Sequence, residues 1–287
     1  MAPLFERAAI VGVGLIGGSL SLAARSAGVI GEVVGVGRGE ANLAIAAQRG
    51  LVDRTTRDLA AIGPVDLVVL AVPLRTTEAV ARALVPHLQP GTIVTDVGSV
   101  KAPIVTALEA VCRADRPFVG GHPIAGTERS GAAAADGDLF RGSRCVLTPT
   151  AHTNPTALER VAALWRAVGA TVEYLSPEKH DRALAWTSHV VHVVAYALAH
   201  AVEAANPDLF RYAGPSLRDV TRVAASPPDM WSEILLTNAA AVDEVTTGLI
   251  DELQRLRQAI ATGDEATLSE LLRAGNAARQ RLEAVKR

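Results

Sequence analysis

The ten residues V-G-V-G-L-I-G-G-S-L, from Val11 to Leu20, constrain the fold of this chain more than any other stretch. Gly12 lies near the end of the apolar run 8–13, and Gly14 and Gly17 open a segment with helical spacing. A G-x-G-x-x-G pattern is weak alone, but its place between a strand and a helix makes it specific. Its glycines permit a tight turn, a close ligand approach and close helix–strand packing. We therefore predict a dinucleotide site with the pyrophosphate at the helix N-terminus; the alternative is a glycine-rich turn without a ligand.

Apolar runs of strand length alternate with helical segments over the first 175 residues. Such alternation is typical of a parallel sheet covered by helices on both faces. We therefore predict the α/β class, with a Rossmann-type doubly wound parallel sheet over residues 1–175. The predicted strands are 8–13, 32–37, 65–72, 92–98, 117–121, 144–149 and 170–175.

The pattern changes after Ser176 and Pro177, where only helical spacing follows. Residues 178–205 form one long stretch with apolar residues at helical spacing, and 229–261 carry apolar residues every three or four positions. We predict an all-helical substrate and dimerisation domain over 176–287. Its apolar faces exceed the needs of its own small core, so we expect them to bury against a second copy of the chain.

Composition excludes several classes of partner. A net charge of −2 and 3% aromatic residues give no general attraction for nucleic acid or anionic membranes. The longest apolar runs are far shorter than the roughly 20 residues that span a bilayer, and no signal peptide is evident. Cys112 and Cys145 lack metal-like spacing. We expect a cytoplasmic protein with neither a metal site nor a disulfide framework.

The end of the second predicted strand bears on the choice of cofactor. It reads V-V-G-V-G-R-G-E, which places Gly37 where NAD-binding proteins usually carry an acid for the ribose hydroxyl. Arg38 follows and suits a 2′-phosphate, so the pattern favours NADP over NAD. Glu40 is the nearest acidic residue, but it could instead serve as a helix-start residue. Arg38 could equally be a surface charge with no role in cofactor binding.

Two segments after predicted strands bring polar groups to the ligand edge of the sheet. T-D-V-G-S-V-K carries Ser99 and Lys101, predicted to face the cofactor crevice, although Ser99 has an alternative as a helix cap. G-G-H-P-I-A-G-T-E-R-S-G carries His122, predicted on a loop. A neutral imidazole there can accept the proton of an alcohol during hydride transfer; the alternative is a turn residue at the surface.

Two helical segments of the second domain carry further candidates. His189 and His192 share one helix face in W-T-S-H-V-V-H, without the acidic partner of a zinc motif. They are either structural or neutral hydrogen-bonding groups for a polar substrate. Arg222, near Arg218 and Asp219, is a natural fork for a carboxylate; the alternative is a surface ion pair.

Taken together, these stretches resemble the prephenate/arogenate dehydrogenase family of tyrosine biosynthesis. The matching segments run in order from VGVGLIGGSL through LAVP, DVGSVK, GGHPIAGTERSG and TSHVVH to RDVTRVAASPPDMW. The resemblance implies NAD(P)-dependent oxidative decarboxylation of a cyclohexadienyl alcohol by a homodimer. Prephenate would give 4-hydroxyphenylpyruvate, and arogenate would give tyrosine. A histidine at position 192 resembles the prephenate-using members, which favours prephenate dehydrogenase.

The resemblance also implies which residues act. His122 would accept the proton of the ring hydroxyl, Ser99 would orient that hydroxyl, His122 and the nicotinamide, and Arg222 would bind the ring carboxylate. The other implied substrate contacts are Ser188, His189, His192, Glu128, Asp219 and Trp231, with Glu128 and Asp219 near Arg222 and Trp231 as a pocket wall. The implied cofactor contacts are Gly12, Gly14, Leu15, Ile16, Gly17, Arg38, Val72, Pro73 and Ser99.

The sequence departs from the family at Gly37, where members often carry the acid, which puts NAD preference in doubt. No ACT-like segment follows the helical part and no mutase domain precedes the sheet, so we expect any inhibition by tyrosine to be competitive.

Alternative classes are a β-hydroxyacid dehydrogenase or pyrroline-carboxylate reductase, and a non-catalytic NADP-binding sensor. The first pair would be expected to carry a lysine on the long helix, where this chain has His189 and His192.

Overall fold

A computed structural model describes residues 2–127 and 129–284. Its strands are β1 Phe5–Val11, β2 Ile30–Val36, β3 Arg54–Thr56, β4 Leu67–Leu70, β5 Ile93–Asp96, β6 Phe118–Val119, β7 Gly121–Ile124, β8 Arg144–Leu147 and β9 Thr171–Tyr174. Its α-helices are α1 Leu15–Ser26, α2 Glu40–Gln48, α3 Leu74–Leu84, α4 Ala102–Val111, α5 Pro155–Ala167, α6 Pro177–Leu184, α7 Val190–Ala205, α8 Pro215–Thr221, α9 Pro228–Thr237, α10 Ala239–Thr262 and α11 Glu265–Ala284.

Six parallel strands form the main sheet in the order β3-β2-β1-β4-β5-β6. The strand order reverses between β1 and β4, and ligands of doubly wound sheets bind in the crevice at that point. Helices cover both faces, and the buried residues of the sheet divide into two apolar clusters, one on each face. Strand β3 was not predicted from the sequence, because R-T-T is a short polar edge strand without an apolar signal.

A second sheet of three strands, β7-β8-β9, was not predicted either. The stretch 117–121 is not one strand, because the chain leaves the main sheet after Val119 and enters the second sheet at Gly121. His122 therefore lies in strand β7, antiparallel to β8 and opposite Val146, and its predicted place on a loop is wrong. Pro123 is tolerated there because β7 is an edge strand.

Every described element from Pro177 to Ala284 is helical. The predicted continuous stretch 178–205 is interrupted by a π-helical turn, Ala185–His189, and the stripe 229–261 is interrupted at Asn238. The core of this part is small, with Ala185, Val190 and Val245 at its centre. No helix in the described part of the chain is long and apolar enough to cross a membrane.

The predicted fold class is confirmed: a Rossmann-type parallel sheet is followed by a helical domain. The last strand ends at Tyr174 and the next helix begins at Pro177. The boundary near residue 175 stays a prediction.

Candidate active site

The glycine fingerprint forms a tight turn between β1 and α1. Gly12 has φ +98°, and a Cβ on it would collide with the carbonyl of Ala71. A Cβ on Gly17 would collide with the carbonyl of Gly12, so both positions require glycine. Gly14 has nothing within 4 Å of its Cβ position, and it begins α1 without a side-chain cap. The first amides of α1 therefore have both the open space and the unpaired donors that a pyrophosphate needs.

The loop between β5 and α4 is fixed by a buried ion pair. Asp96 accepts from Nζ of Lys101, from the Gly98 nitrogen at 2.8 Å and from the Gly121 nitrogen at 3.2 Å. Nζ of Lys101 also donates to the Gly121 carbonyl at 2.9 Å. Lys101 is completely buried, so the expectation that its side chain faces the crevice is wrong. Its contacts instead tie the Gly98–Ser99 loop to the start of β7, one residue before His122.

Asp181 of α6 caps helix α4 from the helical domain. Its two carboxylate oxygens accept the backbone N–H groups of Lys101 and Ala102, each at 2.7 Å. The alternative that Ser99 caps this helix is therefore wrong. The Ser99 hydroxyl is half-buried and makes no hydrogen bond within the described residues. It stays available to a ligand.

His122 begins a chain of hydrogen bonds that leads into the helical domain. Its Nδ1 lies 2.8 Å from Nε2 of His180, and Nδ1 of His180 lies 2.7 Å from Oδ1 of Asp181. His180 is completely buried, whereas His122 is half-buried. Burial, followed by the nearby His180, Lys101 and His189, lowers the pKa of His122 well below 6.5. His122 is therefore neutral near pH 7 and able to accept a proton.

His189 lies at the end of the π-helical turn and is 1% exposed. The amide nitrogen of Asn238 contacts Nδ1 of His189 at 3.1 Å and donates to the Asp181 carbonyl at 2.9 Å. Because a carbonyl only accepts, the amide nitrogen faces both groups, and Nδ1 of His189 is the acceptor. Burial lowers the pKa of His189 to about 4, so it stays neutral and carries its proton on Nε2.

His192, one turn later, stacks on Trp231 with ring centroids 3.3 Å apart. Its Nδ1 donates to the Ser188 carbonyl at 3.0 Å, so Nε2 of the neutral ring is an acceptor. Burial lowers the pKa of His192, and the nearby Arg222 lowers it further. Trp231 also meets His189 edge to face, and its indole N–H is buried without a partner among the described residues.

The structure thus brings His122, His189, His192, Trp231 and Arg222 to one region between the domains. Arg222 and Asp219 are exposed, and neither makes an ion pair within residues 2–127 and 129–284, so the surface ion-pair alternative is wrong for them. Ser188 is half-buried and contributes its carbonyl. Glu128 lies outside the described residues. The proposed roles of all these residues stay predictions.

Sequence reasoning missed His180, Asp181 and Asn238, which connect the histidines. A usable signal was present, because His180 and Asp181 lie in the first turns of the helix that starts at Ser176-Pro177, close to the predicted boundary. Nothing local in the sequence marks Asn238, because the predicted helical stripe 229–261 runs through its position, where the structure has the break between α9 and α10. Lys179, the lysine nearest the long helix, is exposed on α6.

The arrangement is suited to one kind of chemistry. A dinucleotide cradle lies at the carboxyl end of β1, and the neutral His122 lies in β7, directly after β6. The Ser99 hydroxyl follows β5 and has no hydrogen-bond partner among the described residues. Neutral hydrogen-bonding imidazoles lie across the crevice, together with Arg222, which makes no ion pair within residues 2–127 and 129–284. These groups can remove a proton from an alcohol while holding a carboxylate-bearing molecule.

Comparison with known families covers most of the chain. Residues 20–174 match the family model described as the nucleotide-binding domain of prephenate dehydrogenase, and residues 176–274 match its dimerization domain. A cyclohexadienyl dehydrogenase of Zymomonas mobilis is 37% identical, over 98% of this chain and 97% of that protein. A prephenate dehydrogenase of Bacillus subtilis is 32% identical, over 90% of this chain and 71% of that protein.

Solved structures agree. The prephenate dehydrogenase of Aquifex aeolicus, in complex with hydroxyphenyl propionate and NAD+, superposes with a TM-score of 0.91 at 36% identity, covering 96% of this chain and 98% of that one. The arogenate dehydrogenase of Synechocystis superposes with a TM-score of 0.83 at 30% identity, covering 96% and 99%.

Proposed function

This chain belongs to the prephenate dehydrogenase family, and from that premise we propose that it oxidises and decarboxylates prephenate to 4-hydroxyphenylpyruvate. The resemblance seen in the sequence is thereby confirmed, and the chain is an NAD(P)-dependent dehydrogenase. The observation that carries the proposal is the position of His122. Lys101 and Asp96 fix the start of β7 against the Ser99 loop, so a neutral imidazole and a free hydroxyl share the ligand edge of the sheet.

Bound NAD(P)+ supplies the hydride acceptor, and the chain supplies the proton acceptor. Nε2 of His122 takes the proton of the ring hydroxyl while the C–H bond on the same carbon breaks. The bond to the ring carboxylate then breaks, carbon dioxide leaves and the ring becomes aromatic. The proton returns from His122 to the phenolic oxygen, so the step is balanced without releasing a proton to solvent.

The remaining residues bind and orient the substrate. Ser99 donates its free hydroxyl to the ring oxygen, and Arg222 forms a two-point contact with the ring carboxylate. His189 offers an N–H donor, and His192 offers a ring held flat by Trp231. Ser188, Asp219 and Glu128 complete the proposed set. The amides at Leu15, Ile16 and Gly17 would hold the pyrophosphate of a bound dinucleotide, and Gly14, whose N–H donates to the Gly12 carbonyl, would leave room for its approach. Val72 and Pro73 complete the proposed cofactor contacts.

The proposal extends to the cofactor, with NADP+ preferred over NAD+. Gly37 has no carboxylate, and a Cβ there would lie 3.2 Å from the Leu43 side chain. Arg38 is exposed and unpaired among the described residues, at the carboxyl end of β2. Glu40, in the first turn of α2, opposes this preference, because its negative charge would repel a 2′-phosphate.

Arogenate is the second candidate substrate, and the orientation of His192 favours it. Because Nδ1 donates to Ser188, the neutral ring offers only an acceptor at Nε2. The ammonium group of arogenate can donate to that nitrogen, whereas the keto group of prephenate cannot. Prephenate must therefore bind through His189 and Arg222 or through a protonated His192.

The functional unit in this proposal is a homodimer formed by the helical domain. Leu236, Leu253, Ile260, Leu272 and Leu282 are each more than half exposed in the single chain. Large apolar side chains at this density favour burial against a second copy. The matched dimerization domain supports the same assembly.

The test measures the absorbance of reduced nicotinamide while the enzyme is supplied with each substrate, prephenate or arogenate, in combination with each cofactor, NAD+ or NADP+. We expect turnover of prephenate with NADP+ to be fastest. His122→Asn should lower kcat by about 1,000-fold while leaving cofactor binding unchanged. His152→Asn, at an exposed histidine in the turn between β8 and α5, is the control. Cofactor binding without turnover of either substrate would favour a sensor and overturn the proposal.

A further inference from the structure

The described residues hold a polar chain that the reaction above does not use. His122 contacts His180, His180 contacts Asp181, and no solvent reaches His180. His180 and Asp181 belong to α6 of the helical domain, whereas His122 belongs to β7. The contact between the imidazoles is a hydrogen bond of 2.8 Å with the rings nearly edge to face, and not a stacking contact.

The direction of each hydrogen bond follows from Asp181. Its carboxylate accepts the N–H groups of Lys101 and Ala102 and can only accept from His180. Nδ1 of His180 therefore carries a hydrogen, and Nε2 of the neutral ring is an acceptor. Nδ1 of His122 must then be the donor, which leaves Nε2 of His122 without a hydrogen.

We propose that His180 and Asp181 are positioning residues that act through His122: they fix its tautomer and stabilise its positive charge while it holds the substrate proton. This inference rests on the proposed function. The reaction releases no net proton, so the proton taken by Nε2 must stay on His122 until the phenolic oxygen takes it back. The cation formed meanwhile donates from Nδ1 to His180, which in turn donates to the anion of Asp181.

The surroundings of His122 explain why such help is needed. Lys101 and His189 both lie close enough to lower the pKa of His122, and the thiol of Cys145 on β8 lies beside the His122 backbone. Among these neighbours and His180, Asp181 and Asp96, only the two aspartates are anions. Asp96 is already paired with Lys101. Burial lowers the pKa of His122, and Asp181 is the carboxylate that reaches it through a hydrogen-bonded partner.

Two substitutions of His180 each remove a different hydrogen bond of the His122–His180–Asp181 series. His180→Asn keeps a donor at the δ position for Asp181 but removes the acceptor for His122. His180→Gln keeps an acceptor at the ε position but removes the donor to Asp181. We expect kcat to fall about 10- to 100-fold in His180→Asn and less in His180→Gln, with KM for substrate and cofactor within about threefold of wild type.

The pH profile separates this role from a structural one. The charge of a protonated His180 would lower the pKa of His122, but a His180 ring that donates to Asp181 and accepts from His122 stabilises the protonated His122. Loss of that acceptor in His180→Asn should therefore move the acid limb of kcat/KM to lower pH. If His180 were only structural, His180→Asn would change KM or the melting temperature and leave the acid limb of kcat/KM at its wild-type pH. That result would overturn the proposal. A limb that moves to higher pH would overturn it too, because His180 would then be a cation repelling His122. His152→Asn should change neither quantity.

A second measurement needs no turnover. Two-bond ¹H–¹⁵N spectra of the histidine rings in the wild-type protein should show hydrogens on Nδ1 of both His122 and His180, and bare Nε2 atoms. A His122 with its hydrogen on Nε2 would overturn the relay. If the wild type turns over neither substrate, the proposed function fails, and these spectra still decide the inference.

Discussion

The carboxylate of Asp181 lies 2.7 Å from the backbone nitrogen of Lys101, and this contact joins the first helix of one domain to a helix of the other. Asp181 is nearly buried, so its charge is balanced by the N-terminus of α4 and by His180 instead of water. Asp181→Asn keeps the shape and removes the charge. We expect the free energy of unfolding to fall by about 2 kcal/mol, measured by urea denaturation.

Asp264 provides a matched control for this prediction, since it caps α11 through the Thr267 nitrogen at a fully exposed site. Asp264→Asn should have a smaller effect on stability and none on turnover. Equal losses of unfolding free energy in Asp181→Asn and Asp264→Asn would show that burial does not strengthen the Asp181 cap.

Gly14 and Gly17 should respond differently to alanine. A methyl group on Gly17 collides with the Gly12 carbonyl, so Gly17→Ala should lower both the melting temperature and cofactor affinity. A methyl group on Gly14 enters open space, so Gly14→Ala should fold normally. It should still weaken binding, because the methyl occupies the approach of the pyrophosphate. Thermal melts and NADPH fluorescence titrations measure both effects; wild-type affinity in Gly14→Ala would exclude this binding mode.

His189 makes stability depend on pH. Its pKa of about 4 in the folded protein lies below the ordinary 6.5, so the unfolded chain binds more protons between these values. Its contribution is therefore fully present above pH 6.5 and is lost as the pH falls toward 4. The difference amounts to roughly 3 kcal/mol.

His189→Asn keeps an acceptor for Asn238 at the δ position and removes the titrating ring. The decline in unfolding free energy from pH 6.5 to 4 should be shallower in this variant than in wild type. Parallel curves in urea denaturation would show that His189 is not the titrating group.

Arg38 should decide the preference between cofactors. Arg38→Ala should lower kcat/KM for NADP+ by about tenfold or more and leave the value for NAD+ unchanged, because only NADP+ has a 2′-phosphate. Arg113→Ala, at an exposed position near the opposite edge of the sheet, is the control. A wild-type enzyme that prefers NAD+ would refute the argument from Gly37 and Arg38.

Arg222 should govern substrate binding. Arg222→Gln should raise KM for prephenate by about 10- to 100-fold without changing KM for the cofactor, because the two-point contact with a carboxylate is lost. Arg218→Gln, one turn earlier on α8 and also exposed, should leave both values near wild type. Equal effects of the two substitutions would indicate only a general attraction for the substrate's charge.

The secondary structure shows where local patterns were sufficient. Gly12, Gly14 and Gly17 were predictable because their requirement is local: a turn, an approach and a packing contact within one strand–helix unit. The strand containing His122 was misread, because Gly120 and Gly121 look like a turn and the partner residues on β8 lie 20 to 26 positions away in the sequence. Lys101 was misjudged for a similar reason, since its partner Asp96 is visible in the sequence but their burial is not.

The sequence by itself determined the dinucleotide fold, the helical second domain and the family, because glycine spacing, apolar periodicity and motif order are properties of the chain. Only the tertiary structure decided which groups meet. Asp181 caps a helix about 80 residues away, connects to His122 through His180, and accepts at its carbonyl from Asn238 in the junction between α9 and α10. Hydrogen bonds of this kind depend on distances of about 3 Å between elements remote in sequence, which no local pattern records.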